Sequence, residues 1–293
     1  MEYASRESIG NQGETVVRIP LNQLHSYPDH PYAIRDDPAM QDTLDSIKSN
    51  GVVVPAIVRP RSEGGYEIIS GHRRKKASEQ AGFTDMPCIV RNLTDDEAII
   101  QLVDSNAQRE DVLPSERAKA YKMRLDAIKR QGARSDLTSP KFSAKFRSDD
   151  EVGSTEGISG DTVRNIISLN NLVPELMEMV DRGKISLSPA YQIAALTEPE
   201  QRLLVETIDS EQATPSVSQA LRMRKLSQSG DLNEDNMLEI MSEQKKPESM
   251  NVTLSYDKLK KYFPKSYTPA RMEGTIFKLL EQWQRKRQRS QER

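Results

Sequence analysis

Three short stretches carry residues whose types and spacing can do chemistry. The first is Tyr66-Glu67-Ile68-Ile69-Ser70-Gly71-His72-Arg73-Arg74-Lys75-Lys76-Ala77. It reads as a strand, a tight turn at glycine, and a helix that opens with four cations. Exposed N–H groups and the positive end of the helix dipole make a helix start an anion site. Acidic side chains normally sit there, so a run of cations works against helix stability and signals an anion to be bound. On spacing alone, the same cations also read as a solvated surface. The second stretch is Asp104-Ser105-Asn106-Ala107-Gln108-Arg109-Glu110-Asp111 at a predicted helix end. Asn106 and Arg109 are three apart and share a face, able to hold a metal-bound phosphate between them. A helix end dressed with surface charges is the commoner explanation of such a stretch.

The third stretch runs from Asp149 to Leu169. Glu151 to Ser154 reads as a short helix, Glu156-Gly157-Ile158 as a turn, and Ser159 as the cap of a second helix with Val163, Ile166 and Ile167 facing inward. Gly160, Thr162, Arg164 and Asn165 then lie near its exposed N-terminal end. In a helix-turn-helix that end enters the major groove of DNA, where Arg and Asn make bidentate contacts to base edges. An ordinary helical hairpin is the competing reading. Gly153 and Gly157 weaken the first helix, each costing ~1 kcal/mol relative to alanine in a helix interior. A fourth feature is the stripe Met272, Ile276, Leu279, Leu280 and Trp283, followed by Arg285, Lys286, Arg287 and Arg289. It suits dimerisation or packing within one chain, and the basic tail suits DNA or the helix C-terminus.

The elements that must position these residues follow from periodicity and punctuation. Val16, Ile19, Leu21 and Leu24 open the first ordered segment, and Tyr27-Pro28-Asp29-His30-Pro31 excludes helix. A helix is predicted from Asp37 to Asn50, with Met40, Leu44 and Ile47 on one face and Gly51 ending it. Strands are predicted over Val52–Arg59 and Tyr66–Ile69 around the turn Ser62 to Gly65. A helix over Arg73–Ala81 and a strand over Pro87–Val90 complete the first region. Thr94 to Glu97 is a capping box whose helix should run to Gln108. Pro114 starts a helix striped by Ala118, Tyr121, Leu125 and Ile128, and residues 133–148 read as an exposed basic loop. From 149 to 226 the pattern is short helices. One more helix and a linker follow, then a strand over Asn251–Tyr256 and a final helix from Thr268-Pro269.

Composition bounds the class. The chain has 293 residues, enough for two or three domains, with 35% apolar, 29% charged and 5% aromatic residues. This describes a soluble, helix-rich protein. The longest apolar run, Gly51 to Val58, is broken by Pro55 and falls short of the ~20 residues needed to span a bilayer. No signal-peptide stretch opens the chain, Cys88 has no cysteine to pair with, and no Cys/His cluster points to zinc. The expectation is a cytoplasmic protein without a membrane partner. Net charge is -2, but residues 117–147 hold ten basic residues against Asp126 and Asp136. That stretch reads as a phosphate-contacting surface or as a solvated helix and loop.

Taken in order, these motifs resemble the ParB/RepB partition-protein family over roughly residues 15–225. The carrying residues are Ser70-Gly71-His72-Arg73-Arg74 with Ala77, then Asn106-Ala107-Gln108-Arg109-Glu110, then Thr162 through Val173-Pro174-Glu175, Gly183-Lys184-Ile185-Ser186 and Pro189-Ala190. The resemblance implies an α+β chain: a small mixed α/β nucleotide-binding domain over 15–112 behind a loose 1–14, and an all-α helix-turn-helix domain over 113–228. A helix and linker over 229–248 and a small α/β segment over 249–293, suited to dimerisation, would follow. It implies a sliding clamp gated by CTP that loads on a palindromic, centromere-like site in double-stranded DNA during plasmid or chromosome segregation. The homodimer, a ParA-type ATPase partner and nucleoid or plasmid association come with it. The triphosphate would lie on Ser70 and Gly71 to Arg74, with Asn106, Gln108 and Arg109 completing the site and Asn106 meeting Mg²⁺. Ser159, Gly160, Thr162, Arg164 and Asn165 would contact DNA. The Pro-rich loop at Tyr27 to Pro31 sits where the family has a Pro and Arg arm.

Two positions depart from the family pattern. Ser105 stands where a Glu tied to nucleotide hydrolysis is common, so at most a slow CTPase is expected. Val54 stands where Gln often precedes the Pro, which leaves base selectivity open. A regulator using the same helix-turn-helix without nucleotide is the alternative function. Sulfiredoxin resembles the first domain but needs a nucleophilic Cys where Gly71 stands, and a nuclease needs more carboxylates than the turn offers.

Overall fold

The computed structural model describes residues 14–107, 109, 111–136, 148–243, 259–264 and 266–291. The chain divides into two compact units, Met1–Glu243 and Gln244–Arg293. The first begins with a mixed sheet of β1 (Val16–Pro20), β2 (Leu24–Ser26), β3 (Ala56–Pro60), β4 (Tyr66–Ser70) and β5 (Asp85–Val90), in the order β1-β5-β3-β4-β2. The β1/β5 and β3/β4 pairs are antiparallel, while β5/β3 and β4/β2 are parallel. Alternation along each strand sends Ala56, Val58, Ile68, Met86 and Cys88 into one buried cluster with Ile19, Leu21 and Leu24. Ile69 points the other way, into a cluster with Ala98, Leu102 and Val103.

Helices α1 (Pro38–Asn50) and α2 (His72–Gln80) pack through Met40, Ile47 and Ala77. Asp37 caps α1 by accepting from Met40 N, and Gly51 ends it at φ +69°. The strand expected from Val52 instead starts at Ala56, leaving Val53 and Val54 75% and 63% exposed. Pro55 explains the delay, since it has no N–H for the ladder and biases the residue before it. Helix α3 (Asp95–Asp104) has the predicted capping box but stops four residues short of Gln108. Its Ser105 Oγ and Asn106 Nδ2 both donate to Leu102 O at 2.9 Å. Asn106 N turns to Val103 O instead of continuing the helix.

The remaining helices of this unit are α4 (Pro114–Asp136), α5 (Ser148–Ser154), α6 (Gly160–Ser168), α7 (Pro174–Asp181), α8 (Leu187–Ile193), α9 (Glu198–Glu211), α10 (Val217–Ser229) and α11 (Glu234–Ser242). They share a core that includes Tyr121, Val152, Val163, Leu169, Leu176, Ile193, Leu204 and Met223. Helix α11 adds Met237, Ile240 and Met241 to that same core. Residues 133–136, expected in a loop, continue α4; the rest of that basic stretch up to 147 lies outside the described residues.

Two buried charges join the sheet region to the helices. Glu116 of α4 accepts from Ala33 N at 2.8 Å and Leu113 N at 3.1 Å, and pairs with Arg35. Arg124 of α4 reaches Asp104 at 2.9 Å and Val152 O at 3.4 Å. In the second unit, α12 (Pro269–Gln291) buries Met272 but leaves Leu279, Leu280 and Trp283 more than half exposed. The strand expected over Asn251–Tyr256 lies outside the described residues.

Candidate functional site

Strand β4 ends at Ser70, and Gly71 turns the chain into α2 with φ +117°. A Cβ there would stand 2.8 Å from the Ala56 Cβ, so both the backbone angle and the space require glycine. No side chain caps α2. The N–H groups of His72, Arg73 and Arg74 precede the first intrahelical bond, which Lys75 N makes to Gly71 O. A cleft of about 180 Å³ opens at this helix start. Ser70 to Arg74 form one wall, and Ser105, Asn106 and Arg109 form another. The two motifs picked out from sequence thus converge across more than thirty residues of chain. A third wall, His30, Tyr32, Ala33 and Ile34, comes from the loop before α1. Of these four only His30 falls in the Pro-rich loop singled out above, and it was given no role there.

The cations are already engaged. Arg73 donates to Asp37 Oδ1 at 2.7 Å and Oδ2 at 3.3 Å, and lies 3.9 Å from Asp111. This pair, with the bond from Met40 N, holds the Asp37 carboxyl below its usual range. Arg74 Nη1 donates to Val54 O and Pro55 O, both at 2.7 Å. Arg109 reaches Asn106 Oδ1 at 3.4 Å and Asp111 at 3.2 Å. Gln108 lies outside the described residues. The cleft therefore fits a phosphate chain through its glycine cradle, uncapped helix start and three arginines. A protein-held Mg²⁺ fits poorly: among the described residues no carboxylate lines the cleft, and the Asn106 oxygen faces Arg109. Among the described residues no group of three or more His, Cys, Asp or Glu comes together. Cys88 is buried in β5, and burial pushes its thiol up to about 11, which removes the sulfiredoxin-type nucleophile.

His30 and His72 meet in the cleft lining, ring centroids 4.1 Å apart and planes inclined by 60°. His30 Nδ1 lies 2.8 Å from Tyr32 O and 3.2 Å from Tyr32 N. The Nε2 atoms of both rings are buried without a hydrogen-bond partner. Burial first, then the neighbouring His30, Lys75 and Arg74, push His72 down to about 3 from its ordinary 6.5. A histidine held neutral in the fold binds a proton only when the chain unfolds. Its stabilising contribution is therefore intact above pH 6.5 and lost as pH falls toward 3. At pH 5 the expected loss is ~2 kcal/mol from His72 alone. Urea denaturation of the wild type and His72→Gln between pH 7.5 and 5 checks this, the variant losing less stability than the wild type on acidification.

The second site is the α5–α6 pair. Ser159 caps α6 by accepting from Thr162 N at 3.2 Å. Gly153 and Gly157 are not the helix defects expected from sequence. Gly157 holds the turn at φ +68°, and a Cβ on Gly153 would sit 2.2 Å from Ile158 O. Both glycines are what let α6 fold back against α5. Gly160 is buried and donates to Asp150 Oδ1 at 3.1 Å. Ser159, Arg164 and Asn165 are exposed and Thr162 half-exposed. Arg164 pairs with both Asp149 and Asp161, so its guanidinium is held at the surface by two carboxylates.

Comparison with known proteins follows this division. The ParB N-terminal domain family matches residues 5–107, and the ParB HTH domain family matches residues 144–229. The chromosome-partitioning protein Spo0J of Thermus thermophilus is 34% identical over 191 residues, covering 65% of this chain and 64% of that protein. The nucleoid occlusion protein of Lysinibacillus sphaericus is 30% identical over 200 residues, 68% of this chain and 61% of that one. The chain thus spans roughly three fifths of these relatives' lengths. A C-terminally truncated ParB from Caulobacter crescentus, solved with the centromeric parS site, is 24% identical with a TM-score of 0.45, covering 71% of this chain and 98% of that one. The same truncated protein solved with CTP-gamma-S is 27% identical with a TM-score of 0.31, over 64% of this chain and 96% of that one. With a mixed α/β N-terminal region and a helix-turn-helix matched in that order, the chain belongs to the ParB family.

Proposed function

We propose that this protein is a DNA-binding partition protein whose N-terminal cleft binds CTP and thereby gates its hold on DNA. The observation that carries the reading is the convergence of Gly71–Arg74 with Asn106 and Arg109 on one cleft, in a chain that also presents Arg164 and Asn165 on a capped recognition-type helix. The uncapped start of α2 supplies N–H groups for phosphate oxygens, and Arg73, Arg74 and Arg109 supply charge. Mg²⁺ enters coordinated by the triphosphate itself, the described cleft residues offering it no carboxylate. Ser105 supplies no carboxylate, so hydrolysis is slow at most. Ser159, Thr162, Arg164 and Asn165 contact a palindromic, centromere-like duplex from each half of a homodimer. A ParA-type ATPase and a place on the nucleoid or a plasmid complete the segregation role. The pairing of the cleft cations also favours a second reading. Arg73 and Arg74 are already held by Asp37 and two carbonyls, as suits a regulator that ignores nucleotide.

Calorimetric titration with CTP, ATP, GTP and UTP plus Mg²⁺, with and without a palindromic duplex, separates the two. Selective CTP binding strengthened by the duplex is expected. Duplex binding with no response to any nucleotide would establish the regulator. In the same assay Arg164→Ala is expected to cut discrimination between specific and random duplex by about 10- to 100-fold, one bidentate contact's worth, and to leave the CTP isotherm measured without duplex unchanged.

A further inference from the structure

We propose that His30, from the loop before α1, is a phosphate ligand of the cleft that becomes imidazolium as the triphosphate binds, with His72 staying neutral behind it. The inference rests on the nucleotide reading above and adds to it a residue and a coupled proton. Two buried imidazole nitrogens without partners are an uncommon expense, since each orphaned polar atom costs about 1–3 kcal/mol. Both histidines line the cleft whose other walls are cationic, so a ligand rich in oxygen acceptors is suited to them.

The surroundings decide which ring takes the proton. His72 is 8% exposed, and Arg74 and Lys75 of its own helix oppose a charge on it, as does His30. His30 is less buried, and Tyr32 O stands 2.8 Å from its Nδ1, ready to accept a second ring N–H. Burial is the largest influence and pushes its pKa down in the free protein, against the Tyr32 carbonyl; Arg109 and Lys119 of α4 also oppose its charged form, and Glu116 of α4 favours it. A polyphosphate supplies the missing negative charge. Nε2–H then donates to a phosphate oxygen while Nδ1–H donates to Tyr32 O, and the proton comes from solvent. The two rings, 4.1 Å apart, are too close to be charged together.

The test is calorimetry at pH 6.5 with tripolyphosphate and, separately, CTP with Mg²⁺, in buffers of different ionisation enthalpy. Wild type is expected to take up more protons per ligand than His30→Gln, which keeps an N–H donor but cannot titrate. Protons belonging to the ligand cancel in that difference. His72→Gln should retain the uptake. Equal uptake by wild type and His30→Gln would overturn the proposal. If His30→Gln is unstable, the His30 ring signals in wild-type NMR decide: imidazolium shifts on adding tripolyphosphate support the proposal, and unchanged neutral shifts overturn it. Tripolyphosphate binding with uptake, but no CTP binding, would remove the nucleotide reading and keep the histidine role. CTP binding without uptake would do the reverse, and no binding of either ligand would remove both.

Discussion

Alanine in place of Gly71 is expected to destabilise the first unit by about 2–6 kcal/mol and to abolish nucleotide binding. Two costs add. A side chain at φ +117° lies outside the regions open to L-residues, worth about 1–3 kcal/mol. The new Cβ also meets Ala56 Cβ at 2.8 Å, and overpacking of that kind costs about 1–3 kcal/mol. Ala56 is fully buried and paired with Cys88 in the sheet, so it has nowhere to retreat. Relief comes only from moving the β4–α2 turn, which carries the N–H groups of His72 to Arg74 out of register with Asn106 and Arg109. Gly82 provides the control. It ends α2 at φ +80° with nothing within 4 Å of a Cβ, so Gly82→Ala incurs strain alone. Urea midpoints of the two variants measure the difference. Equal losses would mean that Ala56 yields and that the cradle is less constrained than its distances indicate.

What could be read from sequence was local. Thr94 with Glu97, Asp37 with Gly51, and Ser159 each set a helix boundary within one turn of chain, and each boundary stands where its cap requires. Ser70 to Arg74 could be recognised as a strand–turn–helix because the glycine and the cations are adjacent. What could not be read was long-range. Arg73 finds Asp37 from 36 positions away, and Arg74 takes the Val54 carbonyl from 20, with no periodicity to announce either. Those contacts change the meaning of the motif: two of its cations enter the site already paired. His30 and Tyr32 were invisible as cleft residues because the irregular chain before α1 has no repeating face. Gly153 looked like a defect because its partner, Ile158 O, arrives only when α6 has folded back. The end of α3 was misplaced because Ser105 and Asn106 compete for Leu102 O, a choice between side chain and backbone that apolar spacing does not register.

The same kind of contact gives the other large expectation, at a residue with no sequence signal. Gln201 of α9 is 1% exposed, and its amide ties three segments together. Its Oε1 accepts from Val173 N at 2.8 Å, and its Nε2 donates to Asn171 O and Leu196 O, both at 3.0 Å. Val173 is the N-cap residue of α7 and has no side-chain cap of its own. Leu196 lies just past α8, and Asn171 ends the short 3-10 turn that follows α6. One amide thus closes the backbone accounts of the segments that support α6 from behind. Gln201→Leu keeps the volume and leaves one N–H and two carbonyls buried without partners. At about 1–3 kcal/mol per orphaned group, the expected loss is roughly 3–9 kcal/mol. Gln201→Glu identifies the cause. It retains an acceptor for Val173 N but sets a carboxylate against two carbonyl oxygens, which raises its pKa in the fold. That variant's deficit relative to wild type should shrink as pH falls toward about 4, where the carboxyl binds its proton. Equilibrium unfolding of both variants, followed with specific-duplex binding, carries the test. A loss under 1 kcal/mol for Gln201→Leu would mean that water reaches these groups and that the segments behind α6 are held by apolar packing alone.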